Sequence, residues 1–285
     1  YKRQLLIPPS IIMIVYGVAA DVSITRLFVA GIIPGLLMIA LFMSFVAIWS
    51  ILNPSKVPQK DPAISFIQKI KASGSLIPVT LLIIGIMGSI YLGIASPTDS
   101  AAVGVVLSLI LVWLYGDLNW QSFKAGLFSA MLTSSMIAFI LAGAAFLTVA
   151  MGYSNIPMLL AQWITELGLN HYALIAVLAL FFVIMGCFLD GISIVVLTTS
   201  ILLPSIQAAG IDPLWFGLFL VLVVEMAQIT PPVGLNLFVL QGMTGKHIWY
   251  LSLATLPFFL MLLLGVILIT VFPEIVMFLP KMMYS

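Results

Sequence analysis

Thr230-Pro231-Pro232-Val233-Gly234-Leu235-Asn236 interrupts an apolar run that extends from residue 214 to 241. Two consecutive prolines remove two backbone donors and cannot continue a helix, while Gly234 relaxes the backbone just after them. The run is otherwise long enough to cross a bilayer, which takes about 20 apolar residues. Unwound backbone at membrane depth is tolerated only where protein or a water-filled cavity surrounds it. Where membrane helices are broken in this way, loose carbonyls and helix ends are free to face ions and solutes.

The rest of the chain fits that setting. Of 285 residues, 63% are hydrophobic and 7% charged, against about 25% charged in a soluble domain. Too little polar surface is available to cover a water-facing globule, so lipid is the expected solvent. A net charge of +1 could not neutralise a row of phosphates, which argues against nucleic acid as a partner. Cys187 is the only cysteine, and His171 and His247 are too few and too far apart for a zinc site. No His-Glu-x-x-His, P-loop or Gly-x-Ser-x-Gly pattern occurs. Chemical catalysis and an organic cofactor are not expected. An intramembrane aspartyl protease would need a second acid beside Asp190; only Glu225 is available, and no Gly-x-Gly-Asp pattern occurs.

Spans are expected over 27–51, 76–94, 98–116 and 126–150, with a half-polar stretch at 153–168 and a last span at 250–272. Residues 55–73 carry Lys56, Lys60, Lys69 and Lys71 and suit a helix lying on the membrane surface. Ser96-Pro97-Thr98-Asp99 describes a helix start, with Ser96 as N-cap and Pro97 in the first turn, so 76–94 and 98–116 should form a tight hairpin. The apolar block 171–209 is interrupted by Gly186-Cys187-Phe188-Leu189-Asp190-Gly191, which makes it a hairpin that returns to its own side.

Ile7-Pro8-Pro9-Ser10 echoes Thr230-Pro231-Pro232-Val233 at an offset of 223, and at the same offset Pro34 falls on Pro257, Leu37 on Leu260 and Met38 on Met261. Four full spans and a returning hairpin separate the two Pro-Pro breaks, so the second broken helix should run opposite to the first. That is an inverted repeat, with a site where the repeats meet. The expected fold is an all-α polytopic membrane protein with broken helices and a re-entrant hairpin. Residues 1–52 are the end of the first repeat, 53–75 a linker and 76–285 the second repeat. Within the second repeat, 76–168 is scaffold, 171–209 hairpin, 213–243 broken helix and 250–272 the final span. The start, Tyr1-Lys2-Arg3-Gln4, has no initiator Met, and the repeat would place the beginning of its first copy roughly 150 residues upstream. Lys56, Lys60, Lys69, Lys71, Lys124 and Lys246 collect on one side and only Arg26 and Lys281 on the other, which makes the first side cytoplasmic. Lys2 and Arg3 do not fit this pattern comfortably.

At these residues the chain resembles the large, DctM-like membrane subunit of tripartite ATP-independent periplasmic transporters. The matching stretches are Ile7-Pro8-Pro9-Ser10 with Gly31-Ile32-Ile33-Pro34-Gly35, Ser96 to Ala102, Phe188-Leu189-Asp190-Gly191, and Glu225 to Asn236. They occur in family order along the whole chain. The resemblance implies a sodium-coupled importer of organic anions such as C4-dicarboxylates or sugar acids, multi-pass in the bacterial inner membrane. It also implies a soluble periplasmic substrate-binding protein, a small four-helix membrane subunit and an elevator motion of the transport domain. A sodium/dicarboxylate-type transporter needing no binding protein is the alternative, and a channel would be excluded by saturable, sodium-dependent uptake.

Sodium is a hard cation that takes oxygen ligands, and an unwound Thr-Pro-Pro segment offers a hydroxyl and freed carbonyls. The sodium candidates are Thr230, Pro231, Pro232 and Gly234, the symmetry mates Pro8, Pro9 and Ser10, and the hairpin residues Asp190 and Gly191. The substrate candidates are Asn236, which can both donate and accept, with Asp190 and Ser10. Asp190 either orders an ion site or simply caps the next helix. Glu225 either neutralises a cation or faces a polar partner. Ser96, Thr98 and Asp99 read as a helix cap, and Arg26 as an interfacial anchor or a contact for substrate or binding protein.

Overall fold

The computed structural model describes residues 8–56, 74–116, 119–166, 168–231 and 234–284. Every regular element among them is helical. Five helical stretches are long and apolar enough to cross a membrane: Ile24–Leu52, Pro97–Tyr115, Trp120–Ser154, Gly191–Ala208 and Ile248–Val271. Large apolar side chains lie exposed along them, as lipid contact requires; Phe139, Phe146 and Trp113 are examples. The protein is a polytopic helical membrane protein. It divides into two units, 43–134 and the remainder, 1–42 with 135–285.

In the smaller unit, α4 (Ile77–Tyr91) and α5 (Pro97–Tyr115) pack as the expected hairpin. Ser96 Oγ accepts from Asp99 N at 3.2 Å and the Asp99 carboxylate accepts from Ser96 N at 3.3 Å, a reciprocal cap with Pro97 in the first turn. Ser89 and Ser100 share a 2.9 Å hydrogen bond across the pair. The helix expected at 126–150 is longer, α6 (Trp120–Ser154); it begins in this unit and ends within the larger one at Asn155, which has a positive φ of 55°. Lys56 closes a short 3₁₀ turn; Lys60, Lys69 and Lys71 of the expected surface helix lie outside the described residues.

The larger unit begins with α1 (Ile11–Ala20), α2 (Ile24–Ala30) and the start of α3 (Ile32–Leu52), so the span expected from residue 27 already starts at 24. It continues with α7 (Ile156–Glu166), α8 (His171–Gly186), α9 (Gly191–Ala208), α10 (Pro213–Gln228), α11 (Leu235–Thr244), α12 (Ile248–Val271) and α13 (Glu274–Tyr284). The last of these extends past the expected final span. Its first-turn Glu274 pairs with Lys281 at 2.6 Å.

The core of this unit is α10. Fourteen of its residues are buried, leaving only Pro213 and Glu225 outside that class. Helix α10 packs against α1, α2, α8, α9, α11, α12 and α13. Small residues set the approaches. The Tyr16 ring lies over Gly217, and Tyr16 Oη donates to Pro213 O at 2.6 Å. Gly186 of α8 lies directly against Ala227. Trp215 Nε1 donates to Ile269 O at 3.0 Å. That carbonyl is free because its helical donor would be residue 273, a proline without an N–H.

The two stretches that follow the Pro-Pro pairs are built alike. Each is a ten-residue helix, α1 or α11, closed by a left-handed residue, Asp21 at φ 54° or Gly245 at φ 65°. After α1 comes α2, capped by Ser23, and then α3 with Pro34; after α11 comes α12, capped by His247 and carrying Pro257. Helix α1 runs antiparallel to α10, because Ile12 lies beside Val224 and Gln228 whereas Tyr16 bonds Pro213. Helix α12 is also antiparallel to α10, with Phe259 beside Met226 and Ile269 on Trp215. Helix α11 packs on both α10 and α12.

Candidate functional site at the helix breaks

Three helix ends meet in the larger unit. The first is the start of α1. Pro8 is half-buried, Pro9 exposed and Ser10 fully buried as N-cap, its Oγ accepting from Met13 N at 3.4 Å. The second is the hairpin tip. Asp190 caps α9, accepting from Ile192 N at 3.1 Å, from Ser193 N at 3.3 Å and from the Ser193 hydroxyl. The third is the end of α10, where Thr230 Oγ1 folds back to Met226 O at 2.8 Å.

The contacts that join these ends centre on Gly191. A Cβ built there would stand 2.5 Å from Gln228 Nε2, 2.8 Å from Val224 Cγ1 and 3.0 Å from Ile12 Cδ1. Only glycine lets the tip, the first turn of α1 and the last turn of α10 approach so closely. Cys187, also on the tip, directs its Sγ–H to Val183 O at 3.2 Å and Pro231 O at 3.4 Å. The tip is thereby tied to the broken segment.

The break itself releases acceptors. Pro232 has no N–H to offer Gln228 O, its helical partner four residues back. Gly234, at φ 43°, turns the chain so that Thr230 O and Gln228 O lie 2.8 and 3.1 Å from where its Cβ would be. Both oxygens, with Leu237 Cδ1 at 3.0 Å from the same point, lie against Gly234 where the negative end of the α10 dipole lies. The starts of α1 and α9, next to it, present positive ends.

The structure thus brings together Ser10, Asp190, Gly191, Thr230, Pro231 and Gly234. Asn236 follows half-buried in the first turn of α11, and Pro232 lies outside the described residues. Two residues singled out by neither pattern nor charge join them, Gln228 and Cys187. A polar side chain three residues before the first proline was the available signal for Gln228. Glu225 lies one turn earlier, and its buried Oε2 has no hydrogen-bond partner among the described residues. Arg26 lies in the first turn of α2, its N–H bonded to the Ser23 cap at 3.4 Å. Among the described residues no three His, Cys, Asp or Glu side chains cluster as a metal site. A groove of about 500 Å³ between α8 and α12 is walled by Ala176, Val183, Met226, Phe259 and Val266. Its lining is almost wholly apolar and gives an anion little to bind.

Residues 4–275 match the family model for the DctM component of the tripartite ATP-independent periplasmic transporter. The chain belongs to the DctM family. It is 34% identical over 278 residues to the C4-dicarboxylate TRAP transporter large permease protein DctM of Pseudomonas aeruginosa, covering 97% of this chain and 64% of that protein. The DctM of Rhodobacter capsulatus is 32% identical, over 98% of this chain and 66% of its own length. The isethionate TRAP transporter permease protein DctMQ of Oleidesulfovibrio alaskensis is 33% identical, over 96% and 43%. The chain therefore spans about two thirds of the length of the DctM relatives it matches. These relatives are named as transporter permeases, not as enzymes.

Proposed function

We propose that this DctM-family chain forms part of the substrate-translocating permease of a sodium-coupled, binding-protein-dependent importer of organic anions. The observation that carries the reading is the apposition of unlike helix ends. The α10 end, where Gln228 O and Thr230 O lie close together beside Gly234, suits a small hard cation. The starts of α1 and α9 suit a carboxylate. A cation and an anion held side by side stabilise one another in a low-dielectric setting, so each favours binding of the other. Sodium would take the carbonyls of Gln228 and Thr230, and Pro231 O in exchange for its Cys187 contact, with the Ser10 and Asp190 region closing the site. Asn236 would offer its amide to the substrate.

The like-built α1 and α11, each following a Pro-Pro pair at the same sequence offset, support a repeat, and the proposed plan is an inverted one with alternating access by an elevator motion. The names of the relatives, which include C4-dicarboxylate and isethionate permeases, support small organic acids as cargo. A small membrane subunit and a soluble periplasmic binding protein complete the proposed assembly, in a bacterial inner membrane. Uptake of radiolabelled acids into proteoliposomes tests the reading. Uptake should need both an inward sodium gradient and the binding protein encoded beside the permease. Equal flux without the sodium gradient removes the coupling, and equal flux without the binding protein removes that partner.

A further inference from the structure

Gln228 closes a helix in which Val224 and Ala227 are apolar and Glu225, one turn back, holds a buried Oε2 with no hydrogen-bond partner among the described residues. Gln228 is 3% exposed, and its carboxamide has no hydrogen-bond partner among the described residues. Its Nε2 is directed at Gly191, the first residue of α9, between Val224 and Ile12. Leucine of similar size would fill the same place without leaving a donor and an acceptor unpaired. Asp190 and Ser10 already occupy the first-turn N–H groups of Ile192, Ser193 and Met13. The amide is thus an open hydrogen-bonding group at a junction of two positive helix ends.

A carboxamide donates from Nε2 and accepts at Oε1. A plain carboxylate can answer only the donor, leaving Oε1 unpaired. A ligand with an acceptor oxygen and an O–H side by side answers both, and a carboxylate with an adjacent hydroxyl has that form. We infer that Gln228 is a specificity-determining residue that reads a hydroxyl next to the carboxylate, so that the site selects 2-hydroxy and sugar acids over their unsubstituted counterparts. This rests on the junction being the substrate site.

Three pairs of acids differing only in hydroxyls provide the test: malate and succinate, lactate and propionate, galactarate and adipate. Sodium-driven uptake is measured with the intact transporter and its binding protein, for wild type, Gln228→Leu, Gln228→Met and Gly191→Ala. The last keeps the amide but displaces it. In wild type the hydroxylated member of a transported pair has the higher kcat/KM. Each variant should reduce that preference about tenfold, the ratio that corresponds to about 1.4 kcal/mol. In the Gln228 variants uptake of the hydroxylated acid should fall more than uptake of its unsubstituted counterpart, and Gln228→Leu with Gly191→Ala should lower the preference no further than either alone. The melting shift given by malate relative to succinate, measured on purified protein, reports the same preference without the binding protein. Preference unchanged in the variants, or both members of a pair lost equally, overturns the inference and leaves the importer reading standing. A wild type that moves none of the six acids under a sodium gradient overturns the importer reading, and this inference with it.

Discussion

Gly186→Ala isolates the closest approach in the larger unit. A Cβ on Gly186 would overlap the Ala227 methyl and lie 3.2 Å from Ile194 Cδ1 and 3.6 Å from Ala227 Cα. A methyl on a helix cannot swing aside, so α8 and α10 must separate by roughly 1 Å to restore a carbon–carbon distance of about 3.5 Å. Because α10 is packed on all sides, the shift spreads into its other neighbours, and overpacking of this kind costs about 1–3 kcal/mol. Ala227→Gly removes the opposing methyl at a helix-propensity cost of about 1 kcal/mol, so the double variant should be more stable than Gly186→Ala alone. Cys187 supplies the assay, since it is the only cysteine of the chain and is buried. A thiol-reactive fluorophore then reports unfolding of detergent-purified protein as a melting curve. Gly186→Ala should lower the midpoint by several degrees, at roughly 2–4 °C per kcal/mol. A wild-type midpoint for Gly186→Ala, or no recovery in the double variant, would falsify the packing described for α8 and α10.

Other expectations concern single groups. Asn236→Ala should abolish uptake while the protein stays folded and monodisperse; unchanged uptake removes Asn236 from the site. Asp190→Ala should lose the α9 cap, costing about 0.5–2 kcal/mol, whereas Asp190→Asn should keep the cap and most of the melting temperature. Comparing sodium affinity in Asp190→Asn with wild type then separates a charge at the ion site from a cap alone. Trp215→Phe should remove the hydrogen bond to Ile269 O and cost about 0.5–1.5 kcal/mol plus any packing loss, read from the same thiol-dye melting curves. A midpoint equal to that of wild type would mean that this bond contributes nothing to joining α10 and α12.

The breaks and the caps follow from the sequence because their causes are local. Pro231 and Pro232 lack an N–H wherever they stand, Gly234 can take a positive φ, and Ser96-Pro97-Thr98-Asp99 contains both halves of its cap. The matching elements after the two Pro-Pro pairs were legible as an offset, since proline positions survive in an apolar background. Which side of each helix faces protein was not legible. In lipid, both the buried and the exposed faces are apolar, so no periodicity separates them. Nothing in residues 213–228 alone marks α10 as surrounded, or α6 as largely exposed. Tertiary structure alone decided that Gly186 and Gly191 are points of contact, because what makes them so is the arrival of Ala227, Val224 and Ile12 from elsewhere in the chain. It likewise turned Gln228 from a helix-end residue into an unpaired amide at a junction of three helix ends, since burial depends on neighbours that the chain brings together only on folding.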